Sequence, residues 1–146
     1  MTGMKRLIGL PVILNGRQLG TVERGVLQKD GKALSGLIIR EGLRTSRWVD
    51  AGSITLMGQL SILCRTMPVK PPRDAAFRLF RVTDANGLRI GIVTDALLDE
   101  KTLAVSALEI SAGPLDDLID GRFFATSYDV KSYGATGHVT IPCKES

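Results

Sequence analysis

At 146 residues the chain is long enough for one ordinary domain or two very small ones, and its 44% hydrophobic and 23% charged content excludes wholesale disorder. The formal net charge of +4 divides unevenly: residues 1–73 carry 12 Lys and Arg against 4 Asp and Glu, and residues 74–146 carry 7 against 11. Halves of +8 and −4 suit either mutual docking or a separate partner for each half.

Near the N-terminus, Lys5 and Arg6 precede an apolar run over residues 7–14. Gly9 and Pro11 break that run and no small-residue cleavage site follows, so it does not read as an export signal. No run reaches the ~18 apolar residues of a membrane span. The expectation is a soluble, cytoplasmic protein without membrane insertion, in which two cysteines are reduced core residues rather than a disulfide frame.

The run over 7–14 is expected to be the first strand, with Pro11 confining it to an edge or an end because proline has no N–H for a ladder. Asn15-Gly16 is a strong hairpin signal, since both residues accept positive φ in a type I′ turn. The return strand spans about 18–28, with Gly20 and Gly25 marking a bend or bulge. After a turn over 29–32, a third strand covers 33–40 with Leu34, Leu37 and Ile39 inward. A polar loop then leads to a short strand at Trp48-Val49, one helical turn over 51–54, and a closing segment over 60–65. Residues 67–72 hold Pro68, Pro71 and Pro72, which predicts an extended linker outside the sheet.

The same plan returns. Strands are expected over 77–83, 88–99 and 103–111, with Asn86-Gly87 as the hairpin. Pro114, the early acids and Gly121 predict a short helix over 113–121, five residues longer than its counterpart. Phe123-Phe124 matches Arg47-Trp48, and His138 to Ile141 matches Gln59 to Ile62. Laid without a gap, residues 15–42 and 86–113 share ten identities in 28 positions, among them the Asn-Gly turns, Gly20 with Gly91, and Val22 with Val93. Two copies are too few for a solenoid, so the chain is expected to fold as a pair of like units.

These residues carry a resemblance. An apolar strand, an Asn-Gly turn, the Leu19-Gly20-x-Val22 and Ile90-Gly91-x-Val93 motifs and a Gly-rich return resemble the PRC-barrel domain. That domain is named for the H subunit of the photosynthetic reaction centre and recurs in a ribosome-maturation factor. The resemblance implies an all-β protein of two tandem small PRC-like β-barrels, with the short helical insertion in the second. It divides the chain into residues 1–66, a linker over 67–74, and residues 75–146. The motif contains no catalytic residue. The H subunit's transmembrane helix and the maturation factor's N-terminal barrel have no counterpart in the sequence.

Little else points to chemistry. His138 is the only histidine, and no Ser, Cys or carboxylate spacing converges on it. Cys64 and Cys143 are repeat-equivalent isolated thiols, not CxxC-type ligand pairs. Asp116 and Asp120 share a helix face with Asp117 beside them, a pattern that more often caps a helix than binds a cation. Arg40, Arg44 and Arg47 form the candidate partner-binding group, because guanidinium groups grip carboxylates and phosphates bidentately. Trp48 beside them matches Phe124, which favours a core role. The expected function is a non-catalytic, cofactor-free and metal-free adaptor that binds another protein, and a homo-oligomer is compatible with it. The alternative is a ribosome- or RNA-associated maturation factor.

Overall fold

The computed structural model describes residues 1–42, 45–112 and 121–143. The first sheet contains β2 (Pro11–Leu14), β3 (Arg17–Leu27), β4 (Leu34–Glu41), β5 (Thr45–Asp50), β6 (Ile54–Met57) and β7 (Ile62–Cys64). The second contains β8 (Arg78–Asp84), β9 (Arg89–Leu98), β10 (Val105–Ser111), β11 (Arg122–Ala125), β12 (Asp129–Tyr133) and β13 (Thr136–Ile141). The hydrogen-bonded orders are β5-β4-β3-β2-β7-β6 and β11-β10-β9-β8-β13-β12, the same order twice. In each, the opening strand also pairs in parallel with the last one, β2 with β7 and β8 with β13.

The protein is therefore all-β, as expected, but the sheets do not close into barrels: β5 and β6 end the first pairing order, and β11 and β12 end the second. The edge of β5 is occupied at Trp48, which exchanges two backbone hydrogen bonds with Val69 at 2.7 and 2.9 Å. The proline-rich linker thus does touch the sheet, through its one non-proline apolar residue between Pro68 and Pro71. The short helix expected over 113–121 falls almost wholly outside the described residues.

The start of the chain also differs from expectation. Residues 7–14 are not one strand: Leu7 closes a helical turn, α1 (Met4–Leu7), and is fully buried. Gly9 at φ +88 turns the chain, and β2 begins only at Pro11, the one position in an interior strand where its missing N–H is harmless. Before α1, β1 (Thr2–Gly3) pairs not with its own half but with Leu97 and Leu98 of β9.

The glycines carry the repeat. Gly16 and Gly87 both have positive φ, +80 and +82. Asn15 at φ +50 makes the first turn a two-residue loop of type I′ character. The second loop is one residue longer: the Asp84 carboxylate accepts N–H bonds from Asn86 and Leu88, each at 2.9 Å, and only Gly87 is left-handed. Gly20 and Gly91 serve a different purpose. A Cβ on either would run into a neighbouring-strand carbonyl, Arg40 O or its repeat equivalent Ser111 O. Strands β3 and β4, and β9 and β10, approach each other there more closely than any side chain allows.

Inward residues of both sheets form one buried cluster, including Val12, Leu37 and Ile39 from the first and Leu98, Leu108 and Ile110 from the second. Shared burial of this kind supplies what a unit of about 60 residues lacks alone. Where the sheets meet, Ala33 faces Ala104 in an antiparallel bridge. Leu34 N–H donates to Leu103 O at 2.9 Å and Val105 N–H to Lys32 O at 2.8 Å. Each pair exchanges repeat-equivalent positions, 71 apart in sequence, as an approximate two-fold axis requires.

The leading turns obey the same relation. The 3-10 turn Arg73–Ala76 stands before β8 as α1 stands before β2. Each crosses to the other sheet. Ala75 and Phe77 pack on Val26, Ile38 and Trp48 of the first sheet, whereas α1 lies against both β3 and β9. Equivalent anchors hold them with reversed polarity: Arg24 of β3 donates to Ala75 O, and Asp95 of β9 accepts from Lys5 N–H at 3.1 Å.

Candidate functional site

Strand alternation decides where the arginines go, because adjacent residues point to opposite faces. Arg47 pairs across β4–β5 with the buried Ile39 and shares its face, so Arg40, next to Ile39, lies on the other face. Arg40 is exposed and bonds Glu23 at 2.7 Å, while Ser46 donates to the same carboxylate at 3.2 Å. Arg47 is half-buried, and its guanidinium has no partner among the described residues. Arg44 lies outside the described residues. The two described arginines thus flank the tip of one hairpin rather than sharing one flat face. Trp48 does not stand beside them as an exposed aromatic. It is 5% exposed, sealed by Ala75 and Phe77, whereas its counterpart Phe124 is 56% exposed.

A second feature lies between the sheets, at the leading turns. A cleft of about 190 Å³ is lined by apolar side chains including Met4, Leu27, Phe77 and Leu79, and by Arg24, Arg78, Lys5 and Asp95. Burial, and then repulsion from Arg78, hold the Arg24 guanidinium below its ordinary value, with Glu23 opposing. Asp95 is the one carboxylate in the lining and is committed to backbone, accepting from Lys5 and Ala96. Sequence reasoning passed over Arg24 and Arg78. Their signal was faint: Arg24 aligns with Asp95 in the ungapped repeat, a charge reversal amid apolar matches.

A third set of polar contacts joins the turn after β3 to the second sheet. The Tyr128 hydroxyl donates to Gly31 O at 2.6 Å, and Lys32 Nζ sits 3.6 Å from the centre of the Tyr128 ring. Burial first, and the Asp30 carboxylate second, push the Tyr128 phenol up to about 12. Ser132 adds a bond to Lys29 O at 3.0 Å, and Lys29 pairs with Asp74 at 3.3 Å. These contacts fasten the two sheets together.

His138 Nε2 lies 3.0 Å from the Thr83 hydroxyl across the parallel β8–β13 pair. Cys64 is buried, which raises its thiol, and Cys143 is half-buried; both are free thiols. Asp116, Asp117 and Asp120 lie outside the described residues. Among the described residues no three His, Cys, Asp or Glu side chains are grouped to hold a metal ion. No helix among them is long and apolar enough to cross a membrane.

No family model matches the chain, and no curated protein matches it. What the fold and its surfaces define is a class: an all-β protein of two equivalent open sheets, locked by exchanged leading turns, with an arginine-bearing hairpin and an inter-sheet cleft.

Proposed function

We propose that the protein is a non-catalytic, protein-binding adaptor of the cytoplasm, built from two PRC-barrel-like repeats, and that the β4–β5 hairpin bearing Arg40, Arg44 and Arg47 meets the partner. The observation that carries this reading is the uncommitted charge of the hairpin. Arg47 has no partner among the described residues, and Arg40 has only an exposed ion pair. Exposed pairs of that kind contribute about 0–1 kcal/mol, so they do little for the fold and leave the guanidinium groups available to carboxylates on another protein. The repeated strand order and the repeated parallel pairings support the PRC-like assignment of the two units.

The test compares the protein with its Arg40→Glu, Arg44→Glu, Arg47→Glu variant. The expected outcome is a nearly unchanged melting temperature together with loss of a protein that the wild type captures reproducibly from its own cell extract. A large fall in melting temperature with capture intact would assign these residues to the fold and overturn the reading.

The charge of +8 in residues 1–73 favours one alternative, an RNA- or ribosome-associated factor. Its signature is affinity for RNA that falls steeply with salt, since each phosphate contact releases counterions.

A further inference from the structure

The inter-sheet cleft adds to its guanidinium groups what the arginine hairpin lacks, an apolar interior. It straddles the approximate two-fold axis, so each half contributes equivalent positions, Arg24 with Asp95 and Ile8 with Arg78. The substitutions within these pairs break the symmetry chemically. They put two guanidinium groups close enough to repel each other, with Ile8 and Met4 among the apolar lining. Neither guanidinium forms an ion pair with any described carboxylate. Arg24 bonds only the Ala75 carbonyl, and the Arg78 side chain has no partner among the described residues. The nearby acids are occupied: Asp95 by backbone N–H groups, and Glu23 by Arg40 and Ser46. Arg24 is half-buried and Arg78 exposed, so an anion arriving between them would relieve their repulsion.

We infer that this cleft binds a small amphipathic carboxylate, its aryl or short acyl group against Met4, Leu27, Phe77 and Leu79 and its carboxylate on Arg24 and Arg78. The chemistry matches residue by residue. Paired guanidinium groups are suited to a planar carboxylate, and Met4, Leu27, Phe77 and Leu79 offer dispersion contact, while the polar remainder of the lining is Lys5, Thr94 bonded to Glu109 and Asp95 bonded to backbone. The volume of about 190 Å³ lies below the ~300–1,000 Å³ of pockets that hold drug-sized molecules, which restricts the ligand to a single ring or a short chain. This assignment is independent of the hairpin's partner, and each can fail without the other.

Phenylacetate and octanoate are the probes, with phenylacetamide and octanamide as their neutral counterparts. Trp48, the single tryptophan, packs with Phe77, which lines the cleft, so its emission reports occupancy alongside calorimetry. The expected result is saturable one-to-one binding of at least one acid, with its amide at least about tenfold weaker, the loss of one charged contact. Arg78→Gln should weaken the acid by a similar factor at unchanged melting temperature, because that side chain supports nothing else. Ile8→Glu, at an exposed position of the lining, should do the same by repulsion. Absence of saturable binding of either acid up to about 5 mM, where even millimolar affinity registers, would overturn the assignment. So would an amide that binds as tightly as its acid, or full affinity retained in both variants.

Discussion

At the scale of single residues, the clearest energetic statement concerns Tyr128. Its phenol is buried, donates to Gly31 O, and titrates at about 12 rather than near 10. A raised value means that the folded protein favours the protonated form. The contribution is therefore fully present below about pH 10 and is lost as pH rises through about 12. Tyr128→Phe should cost about 1–2 kcal/mol at neutral pH, because a carbonyl loses its donor. Its stability should also fall less between pH 9 and 11.5 than that of the wild type. Denaturant unfolding across that range measures both; parallel profiles would show that the phenol does not titrate with folding.

Among secondary-structure elements, the instructive pair is β3–β4 with its repeat β9–β10. Gly20 and Gly91 lie where a Cβ would enter the space of Arg40 O and Ser111 O. Gly20→Ala and Gly91→Ala should each destabilise by about 1–3 kcal/mol, as overpacking does. Alanine at Gly58, a turn position outside these close approaches, is a poor control because the Ser61 carbonyl crowds it at 2.9 Å. Alanine at Gly52, facing only the Asp50 carboxylate at 3.2 Å, is the suitable one and should change stability by a smaller amount. Equal losses at all three positions would remove the close-approach argument. These glycines are also why the fold was legible: the motif that betrays the repeat in sequence marks the tightest point of each sheet.

Other elements were hidden for equally physical reasons. The hairpin of β6 and β7 has only four and three residues in its strands, too few to show an alternating pattern. The run over 7–14 is apolar throughout, and periodicity cannot separate a buried turn from a buried strand in so short a stretch. Spacing alone groups the arginines. Once the register pairs Arg47 with Ile39, Arg40 falls on the opposite face, and no spacing in the sequence fixes a register. The cleft was the least visible, since it joins residues as far apart as Met4 and Ala96 across two units.

For the whole molecule, the exchange of leading turns matters most. Val26, Ile38 and Trp48 of the first sheet are covered by Ala75 and Phe77, which belong to the approach to the second. A fragment of residues 1–66 therefore lacks that cover, and Trp48 in it should emit like a solvent-exposed indole. An emission spectrum as blue as that of the full chain would mean that the first sheet seals itself.

The crossing also sets a schedule for synthesis. Residues leave the ribosome from the N-terminus, and units tend to fold as they emerge. Here an earlier-made segment waits for a later one: Thr2 and Gly3 pair with Leu98 and Leu97. Until β9 has emerged, α1 lacks half of its seat and Leu7 lacks part of its final surroundings. Neighbouring ribosomes on one message hold the same unfilled seats at the same time. A leading turn can then settle on the wrong nascent chain, as happens in domain-swapped assemblies. Synonymous codons that slow translation before residue 98 should lengthen that interval, and a lower recovery of monomer relative to swapped dimer is the expected outcome.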